Sequence, residues 1–276
     1  MKISDELKER DYQAIKSIVA NSVGIKLTKK KKSLIVSRLS KRINELGLKG
    51  FSQYIEYIQN NLNEKQRMLN LITTNVTHFF RENSHFEYLK KIYLPKLKTN
   101  NIKYIRAWSA GCSTGEEPYS LGIAVKEFFN DSIRIRILGS DVNTEVLDFA
   151  RRGIKKKKKI EDIPYNLLKK YFKMGISKNR GLFMVNRQLK SITKFKKINL
   201  IQQSDYKIKK ESLHIIFCRN VFIYFNKNIQ KKILNNFAKF LTTGGLLFLG
   251  HSEKIELDET NNQWKQIKPT IYQKIN

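Results

Sequence analysis

Two carboxylates, Glu116 and Glu117, stand side by side where a nucleotide-binding loop would ordinarily offer positive charge. They follow Trp108-Ser109-Ala110-Gly111-Cys112-Ser113-Thr114-Gly115 and precede Pro118-Tyr119-Ser120. The apolar alternation from Tyr104 to Trp108 predicts a strand, the small residues a tight turn, and a helix pattern opens directly after it. That order begins a nucleotide-type α/β unit. The turn is not Gly-x-Gly-x-x-Gly and no Gly-Lys-Ser/Thr follows, so neither a pyrophosphate nor a triphosphate cradle fits. A carboxylate there suits a ligand with a cationic end and no phosphate, and S-adenosylmethionine, with its α-amino group and sulfonium, is such a ligand. Thr114-x-x-Glu117 also reads as a capping box with Pro118 in the first turn, which would account for the acids structurally. A second short strand, Ile133 to Leu138, runs into Gly139-Ser140-Asp141. An acid at that strand end is where a ribose hydroxyl pair is accepted, and it tips the reading toward a ligand site.

These residues need a scaffold of two kinds. Up to about residue 72 the chain reads as helices: Leu7 to Val23, Lys30 to Leu46, Phe51 to Gln59 and Glu64 to Leu71, with Ser52 and Asn63 near their starts. In the second helix Leu34, Ile35, Leu39 and Ile43 form the apolar stripe, leaving Arg38, Lys41 and Arg42 on other faces. From Asn75 onward strand signals near 104–108, 134–140, 194–198, 213–218, 246–250 and 270–274 alternate with helix signals near 85–98, 117–129, 144–151 and 228–241. Such alternation predicts a doubly wound, mostly parallel sheet. Between these, the polar turn Gly175 to Gly181 and the alternations Leu182–Val185 and Ile192–Phe195 predict a small antiparallel insert.

At 276 residues with 41% hydrophobic content, the chain is globular and long enough for one large and one small domain. No apolar run approaches the ~20 residues of a membrane helix, and Met1-Lys2-Ile3-Ser4-Asp5 does not read as a signal peptide. Two cysteines, Cys112 and Cys218, are too few for a disulfide framework and lack metal-site spacing, so a reduced, cytoplasmic, metal-free protein is expected. The net charge of +30, with lysine runs at Lys29 to Lys32 and Lys155 to Lys159, would favour nucleic acid as a partner. No nucleic-acid motif accompanies it, and the runs flank helices and turns as solvated lysine does.

Two further segments, Thr73-Thr74-Asn75-Val76-Thr77-His78-Phe79-Phe80-Arg81-Glu82 and Phe217-Cys218-Arg219-Asn220-Val221-Phe222-Ile223-Tyr224-Phe225, stand in order with Ser113–Ser120 and Gly250-His251-Ser252-Glu253. With these four motifs the chain resembles the chemotaxis receptor methyltransferases of the CheR type over nearly its whole length. The resemblance implies a helical receptor-contacting domain and linker over 1–74. It implies a Rossmann-like S-adenosylmethionine-dependent methyltransferase domain over 75–276, with the β-subdomain inserted at about 165–197. It implies methyl transfer to glutamate side chains of membrane chemoreceptors, giving glutamate methyl esters and S-adenosylhomocysteine. The protein would be a monomer, peripheral to the membrane through its receptor, and in some members the β-subdomain binds a pentapeptide at the receptor's C-terminal tail.

Carried over by motif, Asn75, Thr77 and Arg81 reach across the cofactor from the linker, with Arg81 near the incoming carboxylate or the methionine end. Glu117 holds the amino group, Asp141 accepts the ribose hydroxyls, and Asn199 and Leu200 flank the adenine. Arg219 and Asn220 lie near the methionine moiety and Tyr224 near the transferring methyl. Arg81 and Tyr224 are the catalytic pair in this reading, and Arg38 and Arg42 are the receptor-contact positions. Gly111-Cys112 stands where other members often carry alanines. The rival reading, a nucleic-acid methyltransferase, expects an Asn/Asp-Pro-Pro-aromatic loop after the fourth strand; Cys218-Arg219-Asn220-Val221-Phe222-Ile223-Tyr224 occupies that place, and none of the four prolines is adjacent to another. A binding module that has lost catalysis would not be expected to keep Arg81, Glu117, Asp141 and Tyr224.

Overall fold

A computed structural model describes residues 7–256 and 263–275; the segment read for a signal peptide lies outside them. Four helices come first: α1 (Glu9–Val23), α2 (Lys32–Glu45), α3 (Phe51–Gln59) and α4 (Leu62–Ile72). Their apolar stripes meet in one core that includes Tyr12, Ile15, Val19, Ile35, Leu39, Ile43, Tyr54 and Met68. Asn61, rather than Asn63, caps α4 by accepting from the Glu64 N–H at 2.9 Å. Ser52 does not cap α3; its hydroxyl donates to Asp11 on α1.

Polar contacts lock this bundle from inside. Arg42 grips Glu64 with two N–H groups, Nε to Oε1 at 2.9 Å and Nη2 to Oε2 at 2.7 Å, and the buried Tyr54 hydroxyl donates to the same carboxylate. Bonding to Arg42 holds the Glu64 carboxyl below its usual pKa against the opposing effect of burial. Glu64→Ala would leave the half-buried Arg42 with only Glu45 as a carboxylate partner and Tyr54 without an acceptor. It is expected to destabilise the protein by about 2–3 kcal/mol in urea unfolding, and a loss below 0.5 kcal/mol would show the contact to be superficial.

The second domain is built on a seven-stranded sheet of order β6-β2-β1-β7-β8-β10-β9. Its members are β1 (Tyr104–Ala110), β2 (Arg134–Asp141), β6 (Thr193–Lys197), β7 (Leu213–Cys218), β8 (Leu241–Leu249), β9 (Trp264–Lys268) and β10 (Ile271–Lys274). The first five in sheet order pair in parallel, and β10 runs antiparallel to both its neighbours. Before the sheet, α5 (Asn83–Tyr88) and α6 (Leu94–Thr99) are joined by a π-helical turn, Leu89–Tyr93. Pro95 lacks the N–H that would bond the Lys91 carbonyl, so the regular ladder is interrupted there. Helices α7 (Glu116–Phe129), α8 (Thr144–Arg152) and α11 (Lys227–Phe240) join the strands and cover the sheet.

The insert departs from the expected layout. A three-stranded antiparallel sheet does form, but from β3 (Ile154–Lys156), β4 (Phe172–Met174) and β5 (Leu182–Val185), in the order β3-β5-β4. It therefore begins before residue 165, and α9 (Tyr165–Tyr171) lies within it. Of the two alternations assigned to the insert, only 182–185 belongs to it; the second belongs to the main-sheet strand expected near 194–198. Helix α10 (Arg187–Ile192) intervenes, and Thr193–Lys197 becomes the edge strand β6 beside β2. Alternation predicted a strand correctly there, but it carries no information about which sheet the strand joins.

Candidate functional site

The parallel strands β2, β1 and β7 end together, and the sheet's chain order reverses across β1, which is where open α/β sheets bind ligands. A cavity of about 390 Å³ lies there. Asn75, Thr77, Arg81, Glu117, Asp141, Asn199, Leu200, Arg219, Asn220 and Tyr224 all line it. Its far wall comes from the helical domain, through Val23, Ile25, Leu27 and Lys31. Arg38 and Arg42 do not line it.

The loop after β1 is shaped by its small residues. Gly111 sits at φ 84°, and a Cβ there would fall 2.4 Å from a methyl of Val221. Ser113 adopts φ 48°, which turns its N–H onto Asp141 Oδ2 at 2.9 Å and its hydroxyl onto the Asn75 carbonyl at 2.9 Å. The capping box that Thr114-x-x-Glu117 offered as an alternative does not form. Gly115 takes the cap position without a side-chain bond, and the Thr114 hydroxyl donates to Glu116 Oε2 at 2.6 Å. Glu117 is thereby free to turn inward, where Ser109 Oγ donates to Oε1 and Arg219 Nε to Oε2, each at 2.7 Å.

Arg219 is the hub of this wall. Besides Glu117 it donates to the Arg81 carbonyl and lies 3.3 Å from His85 Nδ1 and 3.6 Å from Glu82 Oε2. The Phe86 and Phe217 rings pack against the guanidinium. Burial, with Arg219 next in effect, pushes His85 down to a pKa of about 3, so its imidazole is neutral at ordinary pH. Glu82, His85 and His251 are close enough for metal ligation in geometry, yet the cation among them is Arg219. His214 accepts the Arg106 N–H within the sheet.

Asp141 accepts from the N–H groups of Ser113 and Asn143, both at 2.9 Å. Burial raises its pKa, and those two bonds with that of Val142 pull it back. Asn199 bridges the domains by donating Nδ2 to the Ser22 carbonyl at 2.6 Å. Asn220, at φ 59°, donates its N–H to Glu253 Oε2. Its buried Oδ1 has no hydrogen-bond partner among the described residues. Arg81 folds back onto the Val76 carbonyl at 3.1 Å, and the Lys31 ammonium sits 4.6 Å over the Tyr224 ring. Cys112 and Cys218 are buried free thiols.

Sequence reasoning overlooked several of these residues. Glu253 lay inside a quoted motif, yet its role is internal: it accepts from the N–H groups of Gly250, Asn220 and Ile223 and so shapes the loop after β7. The Lys155–Lys159 run was expected to be solvated. Instead Lys155 is buried against Glu116, and Lys159 donates to the Thr77 carbonyl. Only their place between two motifs hinted at this. Lys31 and the apolar wall at 23–27 gave no signal, because they reach the cavity from another domain.

Two carboxylates and an orphaned carboxamide oxygen, in a cavity otherwise lined by apolar, neutral polar and cationic residues, suit a ligand with a cationic end and hydroxyl donors. The residues present thus fit S-adenosylmethionine. Comparison with known proteins agrees with the geometry. Residues 75–272 match the family described as "CheR methyltransferase, SAM binding domain", and residues 10–73 match "CheR methyltransferase, all-alpha domain". A "Chemotaxis protein methyltransferase 2" of Pseudomonas aeruginosa is 38% identical, with 88% of this chain and 86% of that protein covered. The "Chemotaxis protein methyltransferase" of Borreliella burgdorferi is 38% identical over 93% of this chain and 91% of its own. That of Escherichia coli is 35% identical over 90% and 85%. The matches over both domains place the chain in the CheR methyltransferase family, whose second domain binds S-adenosylmethionine.

Proposed function

We propose that the chain is a protein-glutamate O-methyltransferase that modifies chemoreceptors in chemotactic adaptation. The observation that carries the reading is that every cofactor and catalytic position expected from the motifs lines one cavity. S-adenosylmethionine, when bound, supplies an activated methyl group on its sulfonium. Glu117 holds the amino end and Asp141 the ribose hydroxyls. Asn199 and Leu200 flank the adenine, and Asn75, Thr77, Arg219 and Asn220 close around the remainder.

The receptor glutamate needs no general base, since a carboxyl of pKa about 4.3 is ionised at neutral pH. The protein's task is alignment, holding that carboxylate about 3 Å from the methyl carbon. Arg81 would exchange its bond to the Val76 carbonyl for the incoming carboxylate, and Tyr224 would wall the transfer path. Each ester removes one negative charge from a receptor helix, which eases repulsion between neighbouring acids and biases a two-state signalling element.

Receptor contact is assigned to the basic helix α2 through Arg38 and Arg42. Both already have partners inside the protein: Arg38 donates to the carbonyls of Leu71, Ile72 and Thr73, and Arg42 binds Glu64. A receptor carboxylate would share or compete for them. The small sheet, with Met174 and Ile176 exposed, is the proposed surface for a receptor tail peptide.

The test is transfer of a labelled methyl group to a chemoreceptor cytoplasmic fragment, with tRNA and DNA as parallel acceptors. Label on the receptor alone, released by mild alkali, is expected for a carboxyl ester. Label on nucleic acid would overturn the reading and give the +30 charge its explanation.

A further inference from the structure

We infer that Lys155, on the small antiparallel sheet, is a positioning residue for the cofactor loop that decides which of the two adjacent carboxylates meets the cofactor's amino group. The inference rests on the cofactor site proposed above. Lys155 Nζ donates to the Thr114 carbonyl at 2.6 Å and to Glu116 Oε1 at 2.9 Å. Both side chains of this pair are buried, at 4% and 1% exposure, so the contact is internal and not one of the many surface lysines. The Thr114 carbonyl lies between Ser113 at φ 48° and Gly115 at φ 95°. Lys155 therefore pins the loop between two of its left-handed residues, the shape that presents the Ser113 N–H to Asp141.

The same ammonium sorts the acids. Consecutive helical residues point about 100° apart. Glu116 turns toward the small sheet, where Lys155 and the Thr114 hydroxyl saturate it, while Glu117 turns toward Ser109 and Arg219. Without Lys155, Glu116 becomes a buried carboxylate lacking its cation. It must take up a proton or swing toward another positive charge, and the cations that Glu117 serves, Arg219 and the cofactor's ammonium, are among the candidates. The swing toward either cation disturbs the partner that Glu117 keeps for the ligand. The small sheet is thus tied to the cofactor loop by a charge, through a strand that pairs Lys155 with Phe183 of β5.

Binding of S-adenosylhomocysteine by calorimetry tests this, alongside KM and kcat for methyl transfer and the melting temperature. Lys155→Met is expected to weaken binding by about tenfold and to raise the KM for S-adenosylmethionine, leaving the KM for the receptor fragment unchanged. Lys155→Met combined with Glu116→Gln removes both charges and is expected to return affinity to within about threefold of wild type. Lys155→Arg should retain most of it. A purely structural role predicts a lower melting temperature with unchanged affinity in Lys155→Met, or a double variant as weak as the single one; either result overturns the inference. Should Lys155→Met not fold, the double variant and Lys155→Arg still decide it. Wild-type protein that failed to bind S-adenosylhomocysteine would instead overturn the cofactor site itself, and this inference with it.

Discussion

Arg219→Met is expected to abolish methyl transfer and to lower folding stability by about 3–5 kcal/mol. The methionine fills the space between Phe86 and Phe217, so the loss is one of charge and hydrogen bonds and not of packing. Glu117 and Glu82 remain, both side chains about nine-tenths buried and deprived of the guanidinium that neutralised them. The Arg81 carbonyl loses its donor, and the turn carrying Arg81 is released. Urea unfolding should show a pH dependence of definite sign. The orphaned carboxyls would have folded-state pKa values above their unfolded ones, so the folded protein binds the extra protons. The variant's stability should therefore fall as pH rises from 5 to 8. Arg219→Lys keeps a charge but not the planar fork that serves Glu117 and the Arg81 carbonyl together, and it should recover only part of the loss. A variant within 1 kcal/mol of wild type, flat in pH, would mean that the buried cluster is held by other contacts.

How much of this was legible in sequence depends on whether the signal is local. The helices of the first domain and all the parallel strands followed from periodicity, since each needs only its own residues to declare a face. The cavity residues were legible through motif order, which fixes strand ends without showing side-chain partners. The failures are long-range. For Glu117 the sequence leaves a cap at N3 after a threonine as the alternative to a ligand site, and it cannot show the partner that decides between them. Glu117 turns inward because Arg219, 102 residues away, supplies a buried cation. Ile192–Phe195 reads both into the insert and into the main-sheet strand near 194–198, and only the second holds, because α10 carries the chain back to β2. Lys155 sits in a run that composition assigns to solvent, and only the fold reveals Glu116 beneath it. The wall from Val23 to Leu27 follows Gly24, whose left-handed φ of 74° ends α1 and turns the chain toward the other domain.

Asp141 offers the opposite experiment to Arg219, since its loss should disable the site while sparing the fold. Asp141→Ala is expected to weaken S-adenosylhomocysteine binding by about 100-fold, on the order of 2–3 kcal/mol for a ligand hydroxyl pair left without its acceptor. It also frees the Ser113 and Asn143 N–H groups. Ser113 and Asp141 itself line the cavity, so water entering from it can take the place of the carboxylate. Burial already raises the Asp141 pKa, which means the folded protein bears a desolvation cost for this charge, and removing it returns part of the stability lost with the hydrogen bonds. The melting temperature should then move by only a few degrees. Asp141→Asn retains one acceptor oxygen, sufficient for the backbone N–H groups or for the ribose but not for both. Its affinity should fall between those of wild type and Asp141→Ala, with the melting temperature near wild type. Unchanged affinity in Asp141→Ala would move the ribose away from β2 and reverse the orientation of the cofactor in the cavity. A collapse of stability comparable to that of Arg219→Met would instead show that Asp141 serves the loop first and the ligand second. The two residues face the same cavity, but only Arg219 neutralises buried partners of opposite charge, and that difference is what the paired measurements read.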